Sequence, residues 1–293
     1  MMRRLVVGVD GTDAARVALE WAAETVGPEG HIHAIVAVDP ATEFVVDVMT
    51  GDPQMFLTTV FRDLESEWTR AIHGSVAELT TDLVERRAAD ALVAAAAEFH
   101  ADAIVVGAHV THLGPRRRIG STTRHLLRKL DGPLIVVPTG ATDGLRVADR
   151  DQLVVGVGHS DATDAAVRWA TELADRRNLG VALVRAIGNA ADPAVDDLVG
   201  LAELVQESSG HELPIDVAAV PGMAAVRLAE ASQGAALLVI GQHRSAITAG
   251  RHVTQPLRHL LTHTHCPVAV VPEWVAGKLS PDEPAPAVRR DGE

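Results

Sequence analysis

Short runs of branched apolar residues recur along the chain, each followed by a longer stretch whose apolar positions return every three or four residues. In the first half, residues 4–10, 31–38, 79–85, 103–106 and 134–137 have the strand pattern. Between them, residues 14–23, 54–72, 90–100 and the stretch from Thr122 onward have helical spacing. In the second half, Leu153-Val-Val-Gly-Val-Gly158 opens the series, and residues 181–187, 215–220, 236–240 and 268–271 predict its other strands. Strands that are almost continuously Val, Ile and Leu cannot have a wet face. Alternating with helices, they predict an α/β fold with parallel sheets covered on both sides.

The pattern is a duplication. Asp13 matches Asp161 and Trp21 matches Trp169 at an offset of 148. Later, Gly107 matches Gly241 at 134, with Arg124-His-Leu-Leu127 repeated as Arg258-His-Leu-Leu261. The first half therefore carries 14 extra residues, expected between its second and third strands. The expected domains are residues 1–140 and 151–273, with a Gly-, Asp-, Thr- and Arg-rich linker between them. Residues 274–293, rich in Pro and charge, predict a disordered tail. Within the insertion, residues 43–54 are apolar, and they suit a packed loop better than a lid.

Composition narrows the partners. The net charge is −13 over 293 residues, which disfavours nucleic acid as a partner. No apolar run reaches membrane-spanning length, and the start is too short in apolar residues for a signal peptide. Cys266 is the single cysteine, so no internal disulfide forms and a reducing compartment fits. A cytoplasmic protein, with no membrane contact, is expected.

The densest candidate chemistry lies in Gly107-Ala-His-Val-Thr-His-Leu-Gly-Pro-Arg-Arg-Arg-Ile-Gly-Ser121. A strand ends at Gly107, and a helix opens near Gly120, Ser121 and Thr122. Helix N-termini present unpaired N–H groups and favour anions. Gly120 permits close approach, and Ser121 either caps the helix or donates its hydroxyl to a phosphate oxygen. With Arg116, Arg117 and Arg118 nearby, the stretch suits a phosphate cradle, although spacing alone fits an ordinary β-α loop equally well. The P-loop lysine is missing. Asp10, followed by Gly11, ends the first strand. It either shapes the turn or accepts a hydrogen bond from a sugar hydroxyl or an adenine amine. Ligands of open parallel sheets sit at such strand ends.

These residues resemble the universal stress protein family in its tandem two-domain form. The resemblance rests on Val7-Gly-Val-Asp-Gly-Thr12, Ala37-Val-Asp39, the stretch ending at Gly120-Ser121, and the closing strands before Pro138 and Pro272. It implies two open five-stranded parallel sheets in the order 3-2-1-4-5, whose fifth strands pair. It also implies ATP, with magnesium as an optional companion. Asp10 and Val38 would meet the adenosine, Gly107, Gly120 and Ser121 would hold phosphates, and Gly11 and Thr122 complete the expected cofactor-binding set. The family's second motif glycine is Val110 here. In the second half Gly158 stands in place of Asp10 and Thr254-Gln255 in place of Gly120-Ser121, so that half is expected to bind no nucleotide.

No catalytic base or metal carboxylates are specified near the phosphates, so at most a weak ATPase is expected. His259, His263, His265 and Cys266 have zinc-compatible types, but His125 repeats His259 without the other ligands, so no metal site is expected. The leading expectation is an ATP-binding stress-response regulator acting on an unidentified protein partner. The alternative is a nucleotide-free interaction or dimerisation module; an adenylyl-transferring enzyme lacks a second motif. A homodimer of whole chains is compatible with either.

Overall fold

The computed structural model describes residues 2–39, 53–108, 119–129, 132–139, 151–188, 194–210, 212–243 and 253–273. Outside them lie Val110, Arg116–Arg118, most of the 43–54 segment, the core of the linker and the expected tail. The first half runs β1 (Arg4–Gly8), α1 (Asp13–Val26), β2 (His31–Val38), α2 (Pro53–Asp63), β3 (Glu78–Glu85), α3 (Ala88–Glu98), β4 (Ala103–Ala108), α4 (Ser121–Lys129) and β5 (Leu134–Pro138). The second half repeats it: β6 (Gln152–Gly156), α5 (Asp161–Arg177), β7 (Gly180–Ile187), α6 (Ala194–Ser208), β8 (Ile215–Pro221), α7 (Ala224–Ala231), β9 (Leu237–Gln242), α8 (Gln255–His263) and β10 (Val268–Pro272). Among the described residues, no helix is long and apolar enough to cross a membrane.

The ten strands form one sheet in the order β3-β2-β1-β4-β5-β10-β9-β6-β7-β8. Each half has the expected 3-2-1-4-5 order and is parallel throughout. Among the described residues, the one antiparallel seam joins β5 to β10, with Ile135 opposite Ala269. Pairing the two fifth strands removes two exposed edges that would otherwise invite association. The register also locates the insertion. Ile32 and Val181 occupy matching places, as do Leu79 and Ile215, so the offset falls from 149 to 136 between second and third strands. Thirteen of the extra residues therefore lie there, beside α2.

Strand alternation divides the core into two layers. Leu5, Val7, Ile32 and Ala34 face the side of the sheet that α1 covers in the first half and α5 in the second, where Trp21 and Trp169 are buried at matching places. Val6, Ile35, Ile104 and Val106 face the side covered by α3, α4, α7 and α8. Small residues let the helices approach: α1 buries Ala14, Ala15, Ala18, Ala22 and Ala23.

One side chain ties the halves together at their helix ends. Arg177, at the end of α5, donates to the Glu24 carbonyl at 3.0 Å and to the Thr25 carbonyl. Last-turn carbonyls lack intrahelical donors, and the negative end of α1 favours a cation. Burial pushes the guanidinium below its ordinary range, although it remains charged. Arg177→Ala is expected to cost about 1.5–3 kcal/mol, seen as a lower urea midpoint for the whole chain. Arg177→Lys should recover only part of this, because one ammonium reaches two carbonyls less well than a planar fork.

Candidate nucleotide site

The chain leaves β1 toward β2 on one side and returns to β4 on the other, so strand order reverses at the carboxyl ends of β1 and β4. Open α/β sheets bind ligands in that crevice. The sequence-nominated residues reach this rim from four elements: Asp10 and Gly11 after β1, Val38 at the end of β2, Gly107 in β4, and Gly120, Ser121 and Thr122 at the start of α4.

Asp10 is exposed and performs the turn role. Its Oδ1 accepts from the Thr12 amide at 3.1 Å and from the Thr12 hydroxyl at 2.6 Å. Thr12 in turn caps α1, its Oγ1 accepting from the Ala15 amide at 3.3 Å. Yet Asp10 Oδ2 has no hydrogen-bond partner among the described residues. The carboxylate is thus held by one oxygen and can accept with the other. The two readings of Asp10 are compatible.

Gly107 has a packing role that spacing did not reveal. A Cβ there would lie 2.3 Å from the Ala14 carbonyl oxygen, so α1 could not rest on β4. Gly241 meets the Ala162 carbonyl oxygen at 2.0 Å in the same way. That contact accounts for a glycine in both halves, including the half that has lost the other marked positions.

At α4, the cap position falls to Gly120 and not to Ser121, because the Gly120 carbonyl accepts from the Arg124 amide at 3.1 Å. Glycine brings no capping side chain. Ser121, the first helical residue, is exposed and keeps its hydroxyl uncommitted among the described residues, while its carbonyl meets His125 Nδ1 at 2.8 Å. Thr122 follows, half-buried. The helix start therefore offers backbone N–H groups and a hydroxyl to an anion. Lys129, at the other end of α4, is engaged with Asp90 and holds that carboxyl below the usual carboxylate range.

The second half lacks this arrangement. Gly158 stands at the Asp10 place, and its amide donates to the buried Thr163 hydroxyl at 3.1 Å. At α8, Pro256 occupies the first turn and removes one N–H donor from the helix start. Among the described residues, that place therefore has glycine where the first half has a carboxylate, and a helix start one donor short.

Sequence spacing missed Trp68. Beyond α2 the backbone widens into a π-helical turn over Leu64–Trp68, followed by a 3-10 turn over Arg70–Ile72. This turn lays the half-buried indole against Gly11: a Cβ at Gly11 would lie 2.5 Å from the ring's Cζ2. Gly11 also has φ +75°, so two constraints require glycine there. An aromatic inside a helical run carried no signal of its own.

The histidines near Cys266 are arranged as a stacked pair beside a buried thiol. His259 and His263 stack with centroids 4.1 Å apart, His263 Nδ1 lies 3.0 Å from the His259 carbonyl, and Cys266 is buried. Burial, then the neighbouring His263 charge, pushes the His259 imidazole below its ordinary range. Among the described residues, no three His, Cys, Asp or Glu side chains converge for a metal.

The sequence profile of the universal stress protein family matches residues 1–138 and again residues 150–272. A universal stress protein of Mycobacterium tuberculosis is 27% identical over 143 residues, covering 41% of this chain and 46% of its own. The chain thus spans about half the length of the curated relatives it matches. Among solved structures, a universal stress protein from Archaeoglobus fulgidus superposes with TM-score 0.68 at 14% identity, over 93% of this chain and 99% of its own. The cytoplasmic domain of a prokaryotic cation chloride cotransporter reaches 0.53 at 13% identity, over 93% and 96%. At such identities these two show the fold alone. The two profile matches carry the assignment: the chain belongs to the universal stress protein family and holds that family's domain twice in tandem.

Proposed function

We infer that the first half binds ATP in the crevice between the β1 and β4 ends, and that the second half serves as its scaffold. The observation that carries this is the exposed Asp10 carboxylate with Oδ2 unengaged among the described residues, at the rim where Gly120 and Ser121 open α4. Asp10 accepts from the adenosine, Val38 lines it, and the Ser121 and Thr122 end of α4 receives phosphate. Gly11 and Gly107 shape the rim indirectly, by making room for Trp68 and for α1. Magnesium, where present, is held chiefly by the phosphates, since no metal-binding group of carboxylates converges among the described residues. The site has an acceptor, glycines and hydroxyls, so ATP acts chiefly as a bound signal, with at most weak hydrolysis. Partner proteins would then read the loaded first half, in a cytoplasmic stress response. Any homodimer of whole chains must use a surface other than the β5 edge, which β10 already covers.

Calorimetric titration with ATP tests this reading. Wild type should bind with measurable heat, and ATP at a hundred times Kd should stabilise the fold by about 2.7 kcal/mol. Asp10→Ala should weaken binding about tenfold or more, the loss of a charge-assisted hydrogen bond. Its basal stability should fall by only about 1 kcal/mol, through Thr12 and the α1 cap. The nucleotide-free module is favoured by one observation, Val110 in place of the family's second glycine. It predicts no heat with wild type.

A further inference from the structure

We propose that Trp68 is the base-stacking residue of the first-half site, a flat platform against which the purine of a nucleotide stacks; this rests on the nucleotide reading above. Four observations converge on it. The indole lies against Gly11, where an added Cβ would sit 2.5 Å from Cζ2 and 2.8 Å from Cε2. Gly11 is the residue after Asp10, so ring and carboxylate are neighbours on one rim.

Val38 ends β2, the strand beside β1, at the same end of the sheet. Gly8 pairs with Ile35, and the Val9 amide donates to the Ile35 carbonyl at 2.9 Å. β2 runs three residues past that pair, to Val38, while the chain after β1 turns off through Asp10 and Gly11 at the same end of the sheet. Alternation along β2 places Val38 with Ile32, Ala34 and Val36 on the layer against which Trp68 packs. An apolar wall, an aromatic surface and an anionic acceptor thus meet at one strand end. That set suits a flat heterocycle carrying an exocyclic amine.

The ring is also held in place. The Leu64–Trp68 π turn is closed by Thr69, whose amide donates to the Leu64 carbonyl at 3.3 Å. The fully buried Thr69 hydroxyl donates to the same carbonyl at 2.8 Å and meets His73 Nε2 at 3.0 Å. Single π turns occur frequently at functional sites, where they re-aim a side chain. Trp68 is only half-buried, unlike Trp21 and Trp169 at 3% and 8% exposure, so part of its surface remains open to a ligand.

Finally, the feature is confined to one half. Residues 188–214, the matching stretch of the second half, contain no Trp, Phe or Tyr, and that half also has Gly158 for Asp10 and His159 for Gly11. Platform, turn glycine and acceptor are present together or absent together.

The test is titration of the full chain and its Trp68→Ala and Trp68→Phe variants with ATP, followed by calorimetry and by intrinsic fluorescence. Base–aromatic stacking predicts about ten- to hundredfold weaker ATP binding in Trp68→Ala. Trp68→Phe should stay within about fivefold of wild type, because a smaller ring still stacks. ATP should quench the wild-type emission, and the quench should vanish in Trp68→Phe, whose ligand still binds. If wild type binds ATP and Trp68→Ala binds it equally well or more tightly, the ring is filler or an obstruction and this proposal alone falls. If Trp68→Phe binds as weakly as Trp68→Ala, while its melting temperature matches wild type, stacking is likewise refuted. If wild type binds no ATP, the nucleotide reading falls and takes this one with it.

Discussion

Gly107→Ala is expected to destabilise the protein by about 3 kcal/mol or more, at the upper end of overpacking effects. The new methyl would stand 2.3 Å from the Ala14 carbonyl oxygen and 2.8 Å from the Ala15 amide nitrogen. Both are backbone atoms of a helix, so no side-chain rotation relieves the clash and α1 must lift from β4. Gly241→Ala should cost a similar amount, with its methyl 2.0 Å from the Ala162 carbonyl oxygen. Equal losses in the two halves would assign these glycines to packing, because only the first half carries the proposed site. Gly200→Ala is the control: it lies within α6, and nothing stands within 4 Å of the added methyl. Helix propensity predicts that it stabilises by about 0.5–1 kcal/mol. Urea midpoints measure all three. A Gly107→Ala protein with unchanged midpoint would refute the close approach of α1 to β4.

The second large effect is expected at the seam between the halves. Ile135 is fully buried and pairs with Ala269 across the antiparallel β5–β10 ladder. Ile135→Asp puts a carboxylate in that layer with no cation opposite it. An unpaired buried charge costs several kcal/mol, here about 4 kcal/mol or more. The conservative Ile135→Val should cost only about 0.5–1.5 kcal/mol. Thermal unfolding followed by circular dichroism gives the stability, and amide exchange at Val268–Val271 gives the location. The exchange should accelerate in Ile135→Asp from both sides of the seam. Were Ile135→Asp to fold with protected β10 amides, the continuous ten-stranded sheet would be wrong.

How far the sequence reached is clearest at single positions. Runs such as Leu5-Val-Val7 and Leu134-Ile-Val-Val137 marked their strands because burial on both faces admits only apolar residues, whatever lies nearby. The duplication was equally plain, since Trp21 and Trp169 repeat at one offset. The strand order within each half came from the family resemblance, because periodicity shows that an element forms but not which element lies beside it. Helix ends were less exact: α1 extends to Val26 and α3 begins at Ala88, where caps and local packing decide.

By itself, then, the sequence determined the alternation of elements, the two copies, and the loss of Asp10 and the Gly-Ser pair from the second copy. Those are statements about residues close in the chain or repeated along it. Only the tertiary structure decided that Gly107 admits a helix backbone, that Gly120 takes the cap in place of Ser121, that Arg177 closes the end of α1, and that Trp68 rests on Gly11. The partners in most of these contacts are about 57 to 153 residues apart, brought together by the packing of helix faces on a shared sheet. The exception, Gly120, turns on a single backbone hydrogen bond. Local periodicity carries no record of either, because the same pattern of apolar and polar residues is satisfied whichever surface the helix meets.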